Sequence, residues 1–113
     1  MKEYRLLIRK KDKPFFEAIE KGLKKIETRA GSSTYLKIKE GDVLVFSCSG
    51  KKLKKRVEKV YHFKTVDKLL DKFNFKEIMP FASSEMEAKK LWYTFPKYKE
   101  RLSKYGILAF ILD

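Results

Sequence analysis

Lys24, Glu27 and Arg29 are the residues whose types and spacing are best suited to chemistry in this sequence. Arginine offers a planar, two-pronged donor to a phosphate or a base edge, and lysine offers a mobile positive charge. Glutamate can accept hydrogen bonds from exocyclic amines, or it can hold the arginine in place. A Lys–Glu pair can also do acid–base work if burial shifts its pKa values. The alternative is a solvated charged strand that carries a Glu27–Arg29 pair.

The geometry of a strand limits which of these charges can act together. Gly22 is expected to end a helix, and the segment that follows is predicted to form a short strand. Because side chains alternate between the two faces, a regular strand would put Lys24 on the opposite face from Glu27 and Arg29. Lys24 joins the other two only if it lies in the turn after Gly22 or if a bulge intervenes; otherwise Lys25 replaces it.

A second concentration of charge, the basic segment, follows the predicted turn at Ser49-Gly50. Its five basic residues are Lys51, Lys52, Lys54, Lys55 and Arg56. Alternation would spread them over both faces of a strand, so this end of the hairpin is expected to project into solvent. Neutralising about four phosphates would make log affinity fall with log salt at a slope of roughly −3 to −4. The alternative is a solubilising hairpin, or an edge strand whose lysines prevent aggregation.

Aromatic residues gather around Pro96, and such rings can stack on nucleic-acid bases. Aromatic side chains at this helical spacing are more often core residues, so Trp92 and Phe95 are expected in the core. Tyr93 and Tyr98 are the candidates for exposed rings that stack on bases.

The rarest residue types exclude several kinds of site. A single cysteine, Cys48, excludes an intramolecular disulfide and a cysteine-cluster metal site, and a single histidine, His62, removes His-pair metal sites and most His-based triads. Both residues are expected to be structural, and no metal or other cofactor is expected. No apolar run approaches the ~18 residues of a membrane span, and the charged N-terminus does not resemble a secretion signal. A cytoplasmic protein without a membrane partner is therefore expected.

Size and charge point to one basic domain that spans residues 1–113. The chain carries 28 Lys and Arg against 15 Asp and Glu, a net charge of +13, and its 43% apolar content is too high for a disordered basic tail. Most of this excess lies in residues 1–56, which predicts a polyanionic partner for that half. A charged fraction of 38% with no Gln and a single Asn is typical of thermophiles, or it reflects a lysine-rich genome.

The hydrophobic pattern predicts an α+β fold with a small, barrel-like sheet. The predicted strands are Tyr4–Arg9, Lys24–Arg29, Val43–Cys48, Leu53–Phe63 and Ile107–Leu112. The predicted helices begin after Asp12, after Thr65 and after Ser84, and a short one passes through Tyr98 and Leu102 to end at Gly106. In the long strand the apolar positions change parity between Val57 and Val60, which indicates a bulge or bend.

The pattern G-x-K-x-x-E-x-R, followed by Gly-Asp before an apolar strand, resembles the activating signal cointegrator homology (ASCH) domain. The matching residues are Gly22, Lys24, Glu27, Arg29, Gly41 and Asp42. The resemblance covers essentially the whole chain and implies a PUA-like mixed β-barrel with flanking helices. It also implies an RNA-binding module whose cleft is lined by Lys24, Glu27 and Arg29.

A subset of this family hydrolyses acylated nucleosides with a Lys, a Thr nucleophile and a second carboxylate. Here Lys24 is present, but Glu27 occupies the place of the nucleophile, and Thr28 would point to the other face of the strand. Glu77 lies only loosely where the second carboxylate would fall. No catalytic residue is therefore assigned.

The residues and the resemblance are compatible with three functions. The first is an RNA-binding module, in which the basic segment supplies sequence-independent phosphate contacts. The alternative is a small hydrolase that acts on modified nucleosides or RNA. The third is an adaptor that presents its basic face to acidic proteins. A monomer is the default expectation.

Overall fold

The computed structural model describes residues 1–113 and contains five strands and five helices. The strands are β1 (Glu3–Leu7), β2 (Ile26–Ala30), β3 (Val43–Cys48), β4 (Lys51–Phe63) and β5 (Ile107–Leu112). The helices are α1 (Lys13–Glu20), α2 (Val66–Lys72), α3 (Phe75–Ile78), α4 (Glu85–Trp92) and α5 (Tyr98–Tyr105). Short 3-10 turns lie at Lys10–Asp12 and Tyr35–Lys37. No helix has the length and apolar content that crossing a membrane requires.

The five strands form one mixed sheet in the order β1-β3-β4-β5-β2. β1 pairs with β3 in parallel, and the other pairings are antiparallel. β4 is shared between two partners: Lys51–Arg56 pairs with β3, and the part from Val57 onward pairs with β5. The register shifts between Val57 and Lys59, which confirms the predicted bulge. The bend curls the sheet into a half-barrel with flanking helices, so the predicted fold class is confirmed.

β5 passes between two hydrophobic clusters, and its side chains alternate between them. Ile107 and Ala109 pack into a cluster built mainly by α2 to α5, where Trp92 is fully buried. Leu108 and Phe110 pack into a second cluster with α1 and the inner face of β1 and β3. The nearly continuous apolar run of β5 is therefore explained by burial on both faces, as its sequence predicts.

The caps of α2 and α4 agree with the sequence. The Thr65 hydroxyl accepts a hydrogen bond from the Lys68 amide, and the Ser84 hydroxyl accepts one from the Glu87 amide. α1 begins after Asp12 as predicted, but the Asp12 carboxylate makes no cap and binds Arg9 instead. The single turn α3 was not predicted, because its only sequence signal is the Asn74 cap.

The strand order leaves β1 and β2 as the two edges of the half-barrel. The curl brings these edges close together, and the Arg29 guanidinium reaches across the opening to the Leu7 carbonyl at 3.4 Å. The Gly31 amide donates a hydrogen bond to the Gly106 carbonyl, just before β5. Because hydrogen-bonded residues alternate along an antiparallel pair, this bond determines which residues of β2 bond to β5. Thr28 and Ala30 therefore turn their backbone groups away from β5 and toward this opening.

Candidate functional site

Lys24 lies in the turn between α1 and β2, because β2 begins only at Ile26. Gly22 adopts a positive φ of 77°, and the amides of Leu23 and Lys24 both donate to the Ala18 carbonyl. The Lys24 side chain is buried and Lys25 is exposed. Because Lys24 lies in the turn and not in the strand, it can join Glu27 and Arg29. The prediction that this strand begins at residue 24 is wrong.

Glu27 holds both cations of the motif. Its Oε1 lies 3.3 Å from Lys24 Nζ, and its Oε2 lies 3.1 Å from the Arg29 guanidinium. Lys24 Nζ also donates to the carbonyls of Ile26 at 2.8 Å and Ile78 at 2.7 Å. These contacts use all three donors of the Lys24 ammonium, so Lys24 positions Glu27 and ties β2 to α3.

The surroundings shift the pKa values of both partners. Burial lowers the pKa of Lys24 below its ordinary value, and Glu27 offsets this only in part. Burial pushes the pKa of Glu27 upward, but the charges of Lys24 and Arg29 together outweigh it and hold that pKa below its ordinary value. Glu27 is therefore a carboxylate at neutral pH.

A pocket of about 440 Å³ lies in the opening between β1 and β2, with Glu27 and Arg29 on one wall. Its aromatic lining consists of Phe15, Tyr35, Phe95 and Tyr98. Its charged lining consists of Arg9, Lys24, Arg29, Lys97 and Arg101 against Asp12 and Glu27. The volume is that of a small-molecule site, and the excess of cations favours an anionic ligand.

Cations and rings are interleaved around this pocket. The Arg9 guanidinium lies 5.4 Å from the centre of the Phe95 ring, and the Arg29 guanidinium lies 5.9 Å from the centre of the Tyr35 ring. Arg9 also binds Asp12 at 2.7 Å. Cation–π contacts and ion pairs hold both guanidinium groups in place, which preorganises the pocket walls.

Two polar atoms of the lining are buried and have no hydrogen-bond partner: Nη2 of Arg9 and the hydroxyl of Tyr98. A buried polar atom without a partner is rare, because it loses its hydrogen bonds to water without replacement. Burial also raises the pKa of Tyr98 well above its ordinary value, so its hydroxyl stays protonated.

The structure corrects the expected exposure of Tyr98. Tyr98 is only 6% exposed. Lys97, just before it, adopts a left-handed φ of 56°, which turns the start of α5 toward the pocket. Tyr93 remains 53% exposed and packs edge-on against Tyr98. Trp92 is buried as expected, and Phe95, expected in the core, is half-buried in the pocket wall.

The basic segment lies along β4 and is paired with β3 over its whole length. It does not extend beyond the sheet as a free end. Lys51, Lys52, Lys54 and Arg56 are exposed, and Lys55 is half-buried. Lys54 pairs with Glu3 at 3.1 Å, and Lys55 donates to the Asp113 backbone at 3.5 Å.

Register relates the basic segment to the pocket. Leu7, Ser47 and Lys52 stand in one row across β1, β3 and β4. Leu7 lines the pocket, so the Lys52 backbone lies about 10 Å from it, two strand spacings away. Lys51 and Lys52 stand at the pocket end of the segment, and Lys55 and Arg56 stand near the C-terminus.

The Gly-Asp pair of the motif has a structural role. Gly41 turns the chain with a φ of 91°, and the Asp42 carboxylate accepts hydrogen bonds from the amides of Lys39 and Lys2. These two bonds lower the pKa of Asp42. The pair therefore joins the N-terminus to the start of β3.

The residues considered for hydrolysis do not come together. The Thr28 hydroxyl accepts a hydrogen bond from the Trp92 indole at 2.9 Å, on the face of β2 opposite Glu27. Glu77 is exposed and does not line the pocket. His62 binds the Tyr105 carbonyl, and Cys48 is buried and free. No three His, Cys, Asp or Glu side chains are grouped as metal ligands.

Two solved structures are similar to this chain over nearly its whole length. Hypothetical protein PH0355 shares 29% identity with a TM-score of 0.85, covering 100% of this chain and 98% of that one. Protein PF0455 from Pyrococcus furiosus shares 29% identity with a TM-score of 0.77, covering 98% of this chain and 96% of that one. No family model matches the chain, and no curated protein matches it. Similarity to a protein from a thermophilic archaeon agrees with the composition.

Proposed function

We propose that this protein is a cytoplasmic RNA-binding module of the ASCH type that holds one unpaired nucleotide in the pocket between β1 and β2. One observation carries the proposal: Glu27 and Arg29, held by the buried Lys24, form a wall of a pocket lined by aromatic rings and excess cations. Sequence-specific RNA recognition typically uses unstacked bases that pack on aromatic or arginine planes.

Size and chemistry together support a nucleotide as the occupant. A volume of about 440 Å³ suits a single nucleotide, and the Phe15, Phe95 and Tyr98 rings offer apolar surface to a flat base. Arg9, Lys97 and Arg101 supply positive charge for the phosphate that accompanies each base.

Glu27 is the best placed group for reading the base. Its Oε1 receives only the 3.3 Å contact from Lys24, so this oxygen keeps acceptor capacity for an exocyclic amine. The outward-facing backbone groups of Thr28 and Ala30 offer further donors and acceptors at the strand edge. Glu27 and the edge of β2 then recognise the base, and Arg29 holds Glu27 in position through its ion pair.

The exposed lysines of the basic segment add affinity without sequence preference. Lys51 and Lys52 have no carboxylate partner and stand at the pocket end of the sheet. RNA that leaves the pocket across β1 and β3 meets them after about 10 Å, which is within the reach of two nucleotides.

A hydrolase acting on modified nucleosides or RNA is the second candidate, and the buried Lys24–Glu27 pair favours it. Lys24 has a lowered pKa and Glu27 faces the pocket, which are properties of an acid–base pair. Because Thr28 is bonded to Trp92 and Glu77 lies outside the pocket, this pair would act without a side-chain nucleophile.

Binding of fluorescently labelled single-stranded and hairpin RNA, measured by anisotropy, tests the proposal. We expect Arg29→Gln to weaken binding roughly tenfold, since it removes a charge-assisted hydrogen bond that holds Glu27. Lys68→Gln, an exposed charge on α2, is the matched control and should stay within about twofold. Wild-type protein that binds neither RNA would contradict the proposal.

The same preparations distinguish the two candidates. Acylated nucleosides and RNA oligomers are incubated with wild-type protein and with Glu27→Gln. Wild-type turnover that disappears in Glu27→Gln, with the variant still folded by circular dichroism, would favour the hydrolase. No product from wild-type protein that binds RNA favours the binding module.

A further inference from the structure

We propose that the first turn of α5 and Arg9 form a phosphate subsite at one end of the pocket, so that the bound nucleotide is held by its phosphate as well as by its base. This inference rests on the proposed function, because it assumes that the pocket takes a nucleotide. It assigns ligand contacts to Arg9 and Tyr98, which lie outside the G-x-K-x-x-E-x-R motif.

The start of α5 forms part of the pocket wall. Pro96, Lys97, Tyr98 and Arg101 all line the cavity. The N-cap residue Lys97 makes no side-chain cap, and the amides of Lys99 and Glu100, just beyond the lining residue Tyr98, donate to no protein acceptor. Helix N-termini of this kind attract phosphate through free N–H groups and the helix dipole.

Two buried donors supply the independent observation that points to a ligand. The Tyr98 hydroxyl belongs to a residue that is 94% buried, and it has no partner. Nη2 of Arg9 is also buried and unpartnered, although Asp12 and the Phe95 ring fix the rest of the guanidinium. Both groups can donate, both residues pack against the Phe95 ring, and a phosphate carries only acceptors, so a phosphate is a ligand that suits both.

The local charge balance agrees with an anion at this end of the pocket. The two carboxylates of the lining are already engaged, Asp12 with Arg9 and Glu27 with Lys24 and Arg29. Lys97 and Arg101 form no ion pair and stand on the same helix turn. An entering phosphate therefore meets excess positive charge on the side where the helix N-terminus lies.

The subsite predicts a preference for nucleotides over nucleosides. Adenosine, its 5′- and 3′-monophosphates, the corresponding uridine compounds and inorganic phosphate are titrated into ¹⁵N-labelled protein. We expect at least one monophosphate to bind tenfold or more tightly than its nucleoside, because charge-assisted hydrogen bonds form only with the phosphate. The amide signals of Lys97 and Tyr98, which line the cavity, should shift more with the monophosphate than with the nucleoside.

Three variants separate the subsite from general charge effects. Arg9→Gln and Tyr98→Phe should each reduce the preference for the monophosphate roughly tenfold. Arg5→Gln is the matched control, because Arg5 is an exposed arginine on β1 that does not line the pocket. Tyr98→Phe keeps the ring and removes only the unpartnered hydroxyl, so a loss of affinity without a loss of thermal stability identifies a ligand contact.

The outcomes distinguish failure of the subsite from failure of the proposed function. Equal affinity for nucleoside and monophosphate, or equal effects of Arg9→Gln and Arg5→Gln, overturns the subsite. If RNA still binds in that case, the proposed function stands. If inorganic phosphate binds as tightly as every nucleotide, the site is an anion site without a base subsite, and the nucleotide assignment is overturned.

Discussion

The Lys24 ammonium lies 3.3 Å from the Glu27 carboxylate, and both side chains are almost completely buried. This pair joins the turn after α1 to the edge strand β2, and the bond from Lys24 to the Ile78 carbonyl ties both to α3. Lys24 and Glu27 therefore stabilise the pocket wall, and Glu27 is also a candidate for contacting the ligand.

Breaking this pair is expected to destabilise the fold. Glu27→Ala leaves the Lys24 charge buried with no carboxylate partner, and such changes cost roughly 3–5 kcal/mol. The combined variant Lys24→Met with Glu27→Leu removes both charges, so it should recover a large part of that loss. Urea unfolding of the wild type, the single variant and the double variant measures both effects. A double variant that is less stable than Glu27→Ala would show that the pair stabilises the fold in its own right.

Stability should fall in acid, and the direction follows from two carboxylates. The pKa values of Asp42 and Glu27 in the fold lie below their ordinary values of 3.8 and 4.5. A carboxylate with a lowered pKa stabilises the fold fully above its unfolded pKa, and this contribution is lost as the pH falls through the folded pKa. The melting temperature should therefore hold constant from pH 7 to about pH 5 and drop below that.

Asp42→Asn separates the two contributions to this acid sensitivity. The amide oxygen of Asn can accept only part of what the Asp42 carboxylate accepts from Lys2 and Lys39, so the variant should be less stable at pH 7. Its stability should fall less steeply between pH 5 and pH 2. An unchanged acid slope would mean that Asp42 does not contribute.

The basic segment should control the salt dependence of RNA binding. Reversing Lys51, Lys52 and Lys54 to Glu should weaken binding and reduce the salt slope by roughly three, since each phosphate-contacting lysine contributes about one. Lys55 is left unchanged because it is half-buried and bonded to Asp113. The slope is read from anisotropy titrations between low and physiological salt.

A control with the same charge change distinguishes contact from net charge. Lys68, Lys76 and Lys90 are exposed lysines on α2, α3 and α4, and reversing all three alters the total charge equally. If this control lowers affinity as much as reversal in the basic segment does, the long-range field of the protein binds RNA and the segment has no special role.

Two buried aromatic residues should respond differently when they lose a polar atom. Tyr98→Phe removes a hydroxyl without a partner, so the free energy of unfolding should stay within about 0.5 kcal/mol or increase. Trp92→Phe removes the indole bond to Thr28 and leaves a gap in the core, so it should cost about 2–4 kcal/mol. Thermal unfolding followed by circular dichroism compares them. A larger loss for Tyr98→Phe would mean that its hydroxyl has a partner in solution.

Elements that depend on local pattern could be predicted from the sequence. The apolar run of β5, the caps at Thr65 and Ser84, and the bulge after Val57 each leave a signal within a few residues. The turn after Gly22 is compatible with either Lys24 or Lys25 beside Glu27, and the start of β2 at Ile26 decides for Lys24.

Features that depend on closure of the sheet could not be predicted. Arg9 and Tyr98 are far apart in the chain and line one pocket only because β1 and β2 form facing edges and Lys97 turns α5 inward. Neither residue has a neighbour in sequence that indicates this role. The sequence alone therefore predicts neither the burial of Tyr98 nor the place of Arg9 in the pocket wall.

An NMR titration of ¹⁵N-labelled protein with a short single-stranded RNA tests the central claim most directly, because it reports where RNA binds. The pocket predicts the largest amide shifts at Arg9, Thr28, Ala30 and Tyr98, with smaller shifts at Lys51 and Lys52 that fade as salt is raised. Shifts confined to the basic segment, or no shifts at any RNA concentration, would contradict the claim that the pocket between β1 and β2 binds a nucleotide of RNA.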